Sequence, residues 1–339
     1  MPWPKVVTVM LVGVCLLGSA LVLSAAAQLR GEVPGSLLIF PEFNIASPAA
    51  TQLRISDIQN PALGGISLIH LNYICPGGTG TSGTCFETDS HDMMTFHGTL
   101  VFDVGTELGP TPACTHGFII AFAQDLGHVA IASNNLIGSV RISGAIGGGP
   151  TGPPFAQDTY AANAWAVQSP KAQGTQLGTF DPVSGEFLLT FGLAAGSDYV
   201  ALPGVAYSDF QAVVLPTLRT ELIVLTPTIR SGLVNPAVTI GINWWNQFED
   251  QHSTTSSFVC WREYELETIS GNFLAASLGT PYGSLQVKTV TVGTYNPALL
   301  GVIRETGVGT PGTTYRKMYH TGLKSSTYFP DPNVAPPGP

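Results

Sequence analysis

Three glutamates occupy alternate positions in the second half of the chain. Glu263, Glu265 and Glu267 follow Trp261 in the segment WREYELET. Alternate residues of a β-strand share a face and lie about 6.6 Å apart, which is within the separation of paired acids in glycoside hydrolases. The spacing therefore raises carbohydrate hydrolysis as a hypothesis. The interpretation that the pattern favours is a solvated strand surface that resists aggregation.

A dense aromatic and acidic segment, WWNQFED, precedes these glutamates. If a strand ends there, its two tryptophans face opposite ways, one toward the core and one toward the surface. An exposed tryptophan beside amide and acid groups can stack on a sugar ring or anchor a protein partner. No catalytic residue is assigned, and the candidate binding residues are Trp244, Trp245, Glu249, Asp250, Trp261, Glu263 and Glu265.

The histidines form no metal motif in the sequence. His91 and His97 lie six residues apart, and a strand would separate them by about 20 Å. A shared site would need a tight loop, or distant ligands such as His116 or His128. Solvated or core histidines are the favoured interpretation, so no metal or other cofactor is predicted.

Other catalytic signatures point away from an enzyme. Gly78–Gly83 (GTGTSG) matches G-x-G-x-x-G, but a dinucleotide site needs a helix directly after this loop, and no helical pattern follows. The G-x-S-x-G and H-E-x-x-H motifs are absent from the sequence. A triad assembled from distant residues stays open.

The beginning of the chain has the three-part pattern of a secretory signal. A short basic start, an apolar run over 6–23 and small residues at 24–27 predict cleavage before Gln28. The apolar run is close to the length of a membrane span, so an uncleaved anchor is the alternative, and membrane attachment depends on it. We expect a secreted or cell-surface protein, extracellular or periplasmic. No Asn lies in an N-x-S/T sequence, which favours a bacterial source.

Five cysteines are present, and Cys15 falls within the predicted signal. An even number of cysteines in an exported chain predicts two disulfides, and four cysteines allow three pairings. We favour Cys75–Cys85, which closes a Gly/Thr-rich loop, together with Cys114–Cys260.

Composition excludes several classes of partner. Only 10% of residues are charged, whereas 44% are apolar. Removing the signal, which holds one Lys and no acid, leaves 12 basic and 22 acidic residues and a net charge of −10. Nucleic acid and anionic membrane surfaces would repel this charge.

Strand patterns dominate the chain, and no segment carries a helical stripe over three turns. Short apolar or alternating runs are bounded by Gly, Pro, Asn and Asp, which is the strand signature. They predict an all-β fold of two sandwich lobes, Ig-like or jelly-roll-like. The predicted strands are Ser36–Phe40, Gln52–Ile58, Ile66–Cys75, Thr99–Val104, Gly117–Ala123, Val129–Ser133, Phe187–Leu193, Thr220–Thr226, Ala237–Trp244, Phe258–Ile269 and Leu285–Val292.

A faint internal similarity suggests how the lobes divide. LLIFP, TQLRISD, ISLIHLNYIC and CFETD are followed in the same order by VVLP, TELIVLTPT, VTIGINWW and CWREYEL. Duplication is one explanation, and a chance likeness of strands is the other. The predicted organisation is a signal at 1–27, a first domain at 28–203 with a Gly/Pro-rich loop at 144–154, a second domain at 204–309, and a disordered Pro-rich tail at 310–339.

Several blocks resemble a group of secreted bacterial proteins of unassigned function. They include SLLIFPEFN, TQLRISDIQN, TELIVLTP and NWWNQFEDQHSTTSSFVCW, and the resemblance spans most of residues 36–268. In that group a similar Pro-Phe strand opens the mature chain, and a W-N-x-x-E segment precedes a Cys-Trp. The resemblance implies a secreted, β-rich protein and brings no activity or catalytic residue with it.

Together these features predict a structural or binding protein of the cell surface or extracellular matrix. Low charge and long apolar strands suit self-association through strand edges. The expected partners are another copy, another surface protein or a glycan. The alternative is an extracellular carbohydrate-active hydrolase.

Overall fold

The computed structural model describes residues 33–59, 66–76, 82–112, 114–146, 156–180, 187–194, 196–230, 233–290, 297–307 and 312–330. The predicted signal, most of the 144–154 loop and most of the GTGTSG segment lie outside these ranges. Strands fill the described chain, because its short apolar and alternating segments pair more readily than they form helices. The strands are β1 Leu37–Asn44, β2 Ala50–Asp57, β3 Ile66–Ile74, β4 Ser82–Thr84, β5 Glu87–Thr95, β6 Thr99–Asp103, β7 His116–Gln124, β8 Leu136–Ile146, β9 Ala156–Asn163, β10 Trp165–Val167, β11 Thr179–Phe180, β12 Phe187–Gly192, β13 Tyr199–Val200, β14 Leu202–Gln211, β15 Leu218–Leu225, β16 Val234–Pro236, β17 Val238–Asn246, β18 Gln251–Phe258, β19 Trp261–Glu265, β20 Tyr282–Thr289, β21 Leu300–Gly307, β22 Thr313–Lys317, β23 Tyr319–Lys324 and β24 Ser326–Tyr328.

Helices are short in the described part of the chain. They are α1 Val104–Leu108, α2 Leu266–Ile269, α3 Ala275–Leu278 and a 3-10 turn at Gly271–Phe273. Among the residues that the structure describes, no helix is long and apolar enough to cross a membrane. The predicted all-β class is confirmed.

Five main sheets organise the described strands. Sheet A has the order β6-β2-β8-β9, sheet B β10-β1-β7-β3-β5, sheet C β19-β15-β21-β22 and sheet D β18-β17-β20-β14-β23. Sheet E joins β11, β12 and β13 with β24, and β16 pairs with β4. Pairing is antiparallel except between β12 and β13. Long antiparallel ladders with one or both faces covered match the alternating and continuous apolar runs of the sequence.

Three apolar cores lie between the packed sheets. One lies between sheets A and B and includes Leu38, Leu53 and Val140. A second, between sheets C and D, includes Leu222 and Trp244. The third draws on sheets B, C and E and includes Leu37, Ile39, Leu300 and Phe187.

The sheets are therefore not clearly divided into two sandwich lobes, and they follow one another in a ring that resembles a five-bladed propeller. The physical reason is that the central strands of sheets B and C are covered on both faces, as in β1, where Leu37 and Leu38 are both fully buried but belong to different cores. A domain boundary near residue 203 stays a prediction.

The end of the chain is more ordered than its composition suggests. Disorder was the expectation from residue 310 onward, and for residues 312–330 that expectation is wrong. Strands β22, β23 and β24 extend sheets C, D and E respectively. Tyr328 is fully buried. The segment is rich in Thr and Tyr, which favour strands, and the Pro-rich composition begins only at 330.

The disulfide pairing expected from the sequence is wrong. Cys75 bonds Cys114 with Cα atoms 5.8 Å apart, and Cys85 bonds Cys260 with Cα atoms 6.2 Å apart. Cys75 directly follows β3, and the β3–β7 pairing brings it toward Cys114, just before β7. Cys85 instead faces the core shared with sheet C. The second bond therefore ties the first half of the chain to the second.

Non-reducing peptide mapping of the purified protein should recover Cys75–Cys114 and Cys85–Cys260 as linked peptides. Replacing Cys85 and Cys260 together by Ala should lower the free energy of unfolding by about 2–4 kcal/mol, because the unfolded chain loses a long closed loop. Urea unfolding measures this loss, with the Cys75→Ala/Cys114→Ala pair for comparison. Recovery of a Cys75–Cys85 peptide as the main species would contradict this arrangement.

Candidate functional site

The two adjacent tryptophans of β17 face opposite sides of sheet D, as the sequence predicts. Trp244 is buried between sheets C and D, where its ring stacks on Phe273 at 4.2 Å between centroids. Trp245 lies on the other side of the strand and is half-buried. In β17, Trp245 is thus the tryptophan that a ligand can reach.

A row of polar and aromatic side chains crosses the outer face of sheet D next to Trp245. The register places Asn243 opposite Gln286, Gln286 opposite Tyr207, and Tyr207 opposite Tyr319. Asn243 Nδ2 donates to Gln286 Oε1 at 3.0 Å, and Gln286 Nε2 donates to the Tyr207 hydroxyl at 2.7 Å. These bonds fix the orientation of both amide groups.

The aromatic members of this face are accessible. Tyr319 is 60% exposed and Tyr207 is 38% exposed. Ser253 on β18 lies opposite Asn243 and completes the row over all five strands. At about 4.8 Å between strands the row is about 19 Å long. The outer face of sheet D therefore combines stacking surfaces with fixed hydrogen-bonding groups.

The acidic residues after Trp245 belong to the turn between β17 and β18. Asn246 organises this turn, because its Oδ1 accepts from the backbone N–H groups of Phe248 and Asp250 at 2.9 Å. Its Nδ2 donates to the Asp250 carboxylate at 2.9 Å. Glu249 is exposed and has a φ of 66°, a left-handed turn position. Asp250 is thus held by Asn246 within the turn, whereas Glu249 is exposed to solvent at the end of the outer face of sheet D.

The glutamates of β19 do not form a solvated outer surface, so the interpretation favoured from the sequence is wrong. Trp261 is buried, and its Nε1 donates to the Pro41 carbonyl at 3.0 Å. Glu263 pairs with Arg304, and Glu265 pairs with Arg219. Glu267 Oε1 lies 3.7 Å from Arg219 Nε. Trp261, Glu263 and Glu265 share one face of β19 as predicted, whereas Glu267 lies in α2. Sheet B contacts this face at Pro41 and Glu42.

Arg304 on β21 is the centre of a buried polar cluster. Its Nε donates to Glu221 Oε2 at 2.6 Å, and its Nη1 donates to Glu42 Oε1 at 2.7 Å. Its Nη2 donates to Glu263. The Tyr160 hydroxyl donates to the second oxygen of Glu42 at 2.6 Å and accepts from Arg304 at 3.2 Å.

The charge of this cluster does not balance if every carboxyl group is ionised. One guanidinium would face three carboxylates, and Arg304, Glu42 and Glu221 are at most 3% exposed. Burial is the main cause that raises the pKa of Glu263, to about 8, with repulsion from Glu221 and Glu42 adding to it against the attraction of Arg304. The side chain of Glu263 is 31% exposed. It is therefore the carboxyl group of the cluster that can exchange a proton with solvent.

A second group of titratable residues, which sequence reasoning did not assemble, lies at the edge of sheet B. His70 on β3 is directly opposite His91 on β5, and His70 Nδ1 lies 2.8 Å from His91 Nε2. The rings of His91 and His128 are 5.0 Å apart. Burial, with His91 and His128 nearby, lowers the pKa of His70 to about 3. His97, just after β5, and His116, at the start of β7, are not part of this group.

Comparison with known proteins adds little to these observations. No family model matches the chain, and no curated protein matches it. A solved structure of squid arrestin aligns with 84% of this chain and 93% of its own length, at 7% identity and a TM-score of 0.13. So low a score supports no conclusion about fold or function.

Replacing Arg304 with Ala should lower the free energy of unfolding by about 3–5 kcal/mol, because three carboxyl groups would lose their buried cation. Arg54→Ala is the matched control, since Arg54 lies on an exposed position of β2, and it should change stability by less than about 1 kcal/mol. Urea unfolding at pH 7 compares the two. An equal and small effect of both substitutions would contradict a central role for Arg304.

Protonation of Glu263 should make the stability depend on pH. The folded protein binds this proton more tightly than the unfolded chain does. The proton therefore contributes fully to the free energy of unfolding below the ordinary pKa of 4.5, and this contribution is lost as the pH rises toward about 8. The free energy of unfolding of the native protein should fall between pH 5 and pH 8. In Glu263→Gln this fall should be smaller by about 2 kcal/mol. Urea unfolding across this range measures it.

Glu265→Gln serves as the control for that experiment, since Glu265 is the neighbouring acid on the same face of β19 and has its own arginine. It should leave the slope of stability against pH as in the native protein. A Glu263→Gln variant with an unchanged slope would mean that this carboxyl group is ionised in the folded state.

Proposed function

We propose that this protein is an exported bacterial binding or structural protein of the cell surface or extracellular matrix, and that the outer face of sheet D binds carbohydrate. The single observation that carries the proposal is the row Asn243–Gln286–Tyr207–Tyr319 beside Trp245. Aromatic rings offer flat apolar surfaces to the faces of sugar rings, while amide groups hydrogen-bond their hydroxyls. Export rests on the N-terminal pattern, and two disulfides are compatible with it.

The electrostatics of this face favour a neutral or weakly charged ligand. Amide, hydroxyl and aromatic groups dominate the row, and its charged neighbours, Asp209 and Lys288, have opposite signs. Asp209 Oδ1 also accepts from Ser284 Oγ at 3.1 Å. Asp209 offsets the charge of Lys288, whereas a phosphorylated polymer would need several basic groups. A glycan fits this face better.

Self-association is a second mode of binding that the same sheet supports. β18 is the edge strand of sheet D and pairs only with β17 within it. Its sequence, QHSTTSSF, holds no Pro, Lys or acid, which are the residues that usually protect an edge. A strand from another copy or another surface protein could add to it.

A carbohydrate-active hydrolase is the second candidate function, and the raised pKa of Glu263 favours it. A hydrolase needs a second carboxyl group on the other side of the scissile bond. Glu42 and Glu221 are almost fully buried and are held by Arg304, so neither can flank a sugar in this conformation. Binding is therefore the better-supported function.

Trp245→Ala should weaken carbohydrate binding tenfold or more, because it removes the largest stacking surface of the face. The probe is a glycan array of soluble oligosaccharides and immobilised polysaccharides, followed by titration calorimetry with any binder. Phe248→Ala is the matched control: Phe248 is 74% exposed on the adjacent turn, and its loss should leave binding unchanged.

Light scattering on the same samples separates glycan binding from self-association. A monomer at high concentration that binds no glycan on the array would refute the proposed function. Release of reducing sugar by the native protein, abolished in Glu263→Gln, would establish the hydrolase instead.

A further inference from the structure

The edge of sheet B brings imidazole and carboxylate ligands into one small volume. His70, Asp89 and His91 each place one ligand atom within 4.8 Å of the others. His91 and Asp89 lie two residues apart on β5 and share a face, while His70 is the cross-strand neighbour of His91. The regular β3–β5 ladder therefore fixes the spacing of all three.

A third imidazole arrives from the turn after β7. His128 has a φ of 64°, and its ring lies beside that of His91. Hydrogen bonds hold the turn: Asp125 Oδ1 accepts from Gly127 N–H at 2.8 Å and from Val129 N–H at 3.0 Å. Gln124 Nε2 donates to the His128 carbonyl at 2.9 Å. The unusual backbone of His128 is thus supported on both sides.

The protein's own hydrogen bonds leave this group incompletely satisfied. His70 is fully buried, and its Nε2 has no hydrogen-bond partner among the described residues. Its Nδ1 faces a nitrogen of His91, so the two nitrogens share one proton at best. Three imidazoles packed together would repel one another if protonated. A cation between His70 Nδ1 and His91 Nε2 would take up the two facing lone pairs, and His70 would then carry its proton on Nε2.

We propose that His70, Asp89, His91 and His128 form a binding site for Zn²⁺. Nitrogen ligands lie 2.0–2.1 Å from zinc, and two nitrogens 2.8 Å apart can both reach one ion with little movement. Imidazole suits zinc and similar transition metals, whereas Ca²⁺ and Mg²⁺ prefer oxygen ligands alone. His91 and His128 are exposed and His70 is buried. The ion would therefore enter from the solvent side, and His70 would bind it from the protein interior.

The number of ligands indicates a structural site. His70, Asp89 and His91 supply three ligand atoms that lie together. With His128 as the fourth ligand, the shell would be tetrahedral and would leave no position for a substrate. The ion would join β3, β5 and the turn after β7, and so close the edge of sheet B, whose β5 has no other neighbour in that sheet. This site is independent of the proposed carbohydrate-binding face, which lies on sheet D.

The test is titration calorimetry of Zn²⁺ into the full chain after removal of metal with a chelator, together with the visible spectrum of the Co²⁺-substituted protein. Native protein should bind one Zn²⁺ and give a tetrahedral Co²⁺ spectrum. His91→Ala and His128→Ala should each weaken Zn²⁺ binding tenfold or more. Zn²⁺ should also raise the melting temperature of the native protein, because it binds the folded state.

His97→Asn is the matched control. His97 lies just beyond β5 in a left-handed turn position, with a φ of 63°, which Asn tolerates. This variant should bind Zn²⁺ as the native protein does. Both ligand substitutions are at exposed positions, and melting curves in chelator would show that the variants fold. Absence of Zn²⁺ binding, or equal losses in His97→Asn and His91→Ala, would overturn the proposal.

Discussion

The arrangement of the sheets depends on the buried ion pairs of the Arg304 guanidinium. This guanidinium is carried by sheet C and bonds Glu221 and Glu263 of the same sheet. It also reaches Glu42 of sheet B and Tyr160 of sheet A. Apolar contacts alone permit sheets to slide or rotate against one another, since they have no direction. A planar group with five donors accepts far fewer arrangements.

That specificity has an energetic cost, which the surrounding sequence offsets. Buried ion pairs often contribute no net stability compared with apolar residues of the same volume. Here the apolar clusters on either side supply the stability, and the raised pKa of Glu263 favours a proton there, which would reduce the excess negative charge. The Cys85–Cys260 bond joins the same two halves of the chain within the shared core. A covalent bond and a polar cluster thus hold together sheets that are far apart in sequence.

The sequence could predict local features but not those that depend on which strands become neighbours. Alternation identified most strands and assigned Trp244 and Trp245 to opposite faces. It could not show that the glutamate face of β19 would be covered, because that depends on packing between sheets. It also misassigned the disulfides, since loop length favoured Cys75–Cys85 while the β3–β7 register brings Cys75 to Cys114. The tail was misjudged because its Pro-rich end obscured the strand pattern before it.

The histidine group had a signal that was available in the sequence. His70 and His91 lie at nearly equal distances from the middle of the Gly/Thr-rich segment near residue 80, so antiparallel pairing of the strands before and after that segment places them opposite each other. Distance along a single strand was the wrong measure, since metal ligands on sheets commonly come from neighbouring strands. His128 had no such signal, because its position depends on β7 lying beside β3. Cross-strand register, more than residue spacing, therefore determines which chemistry this chain can assemble.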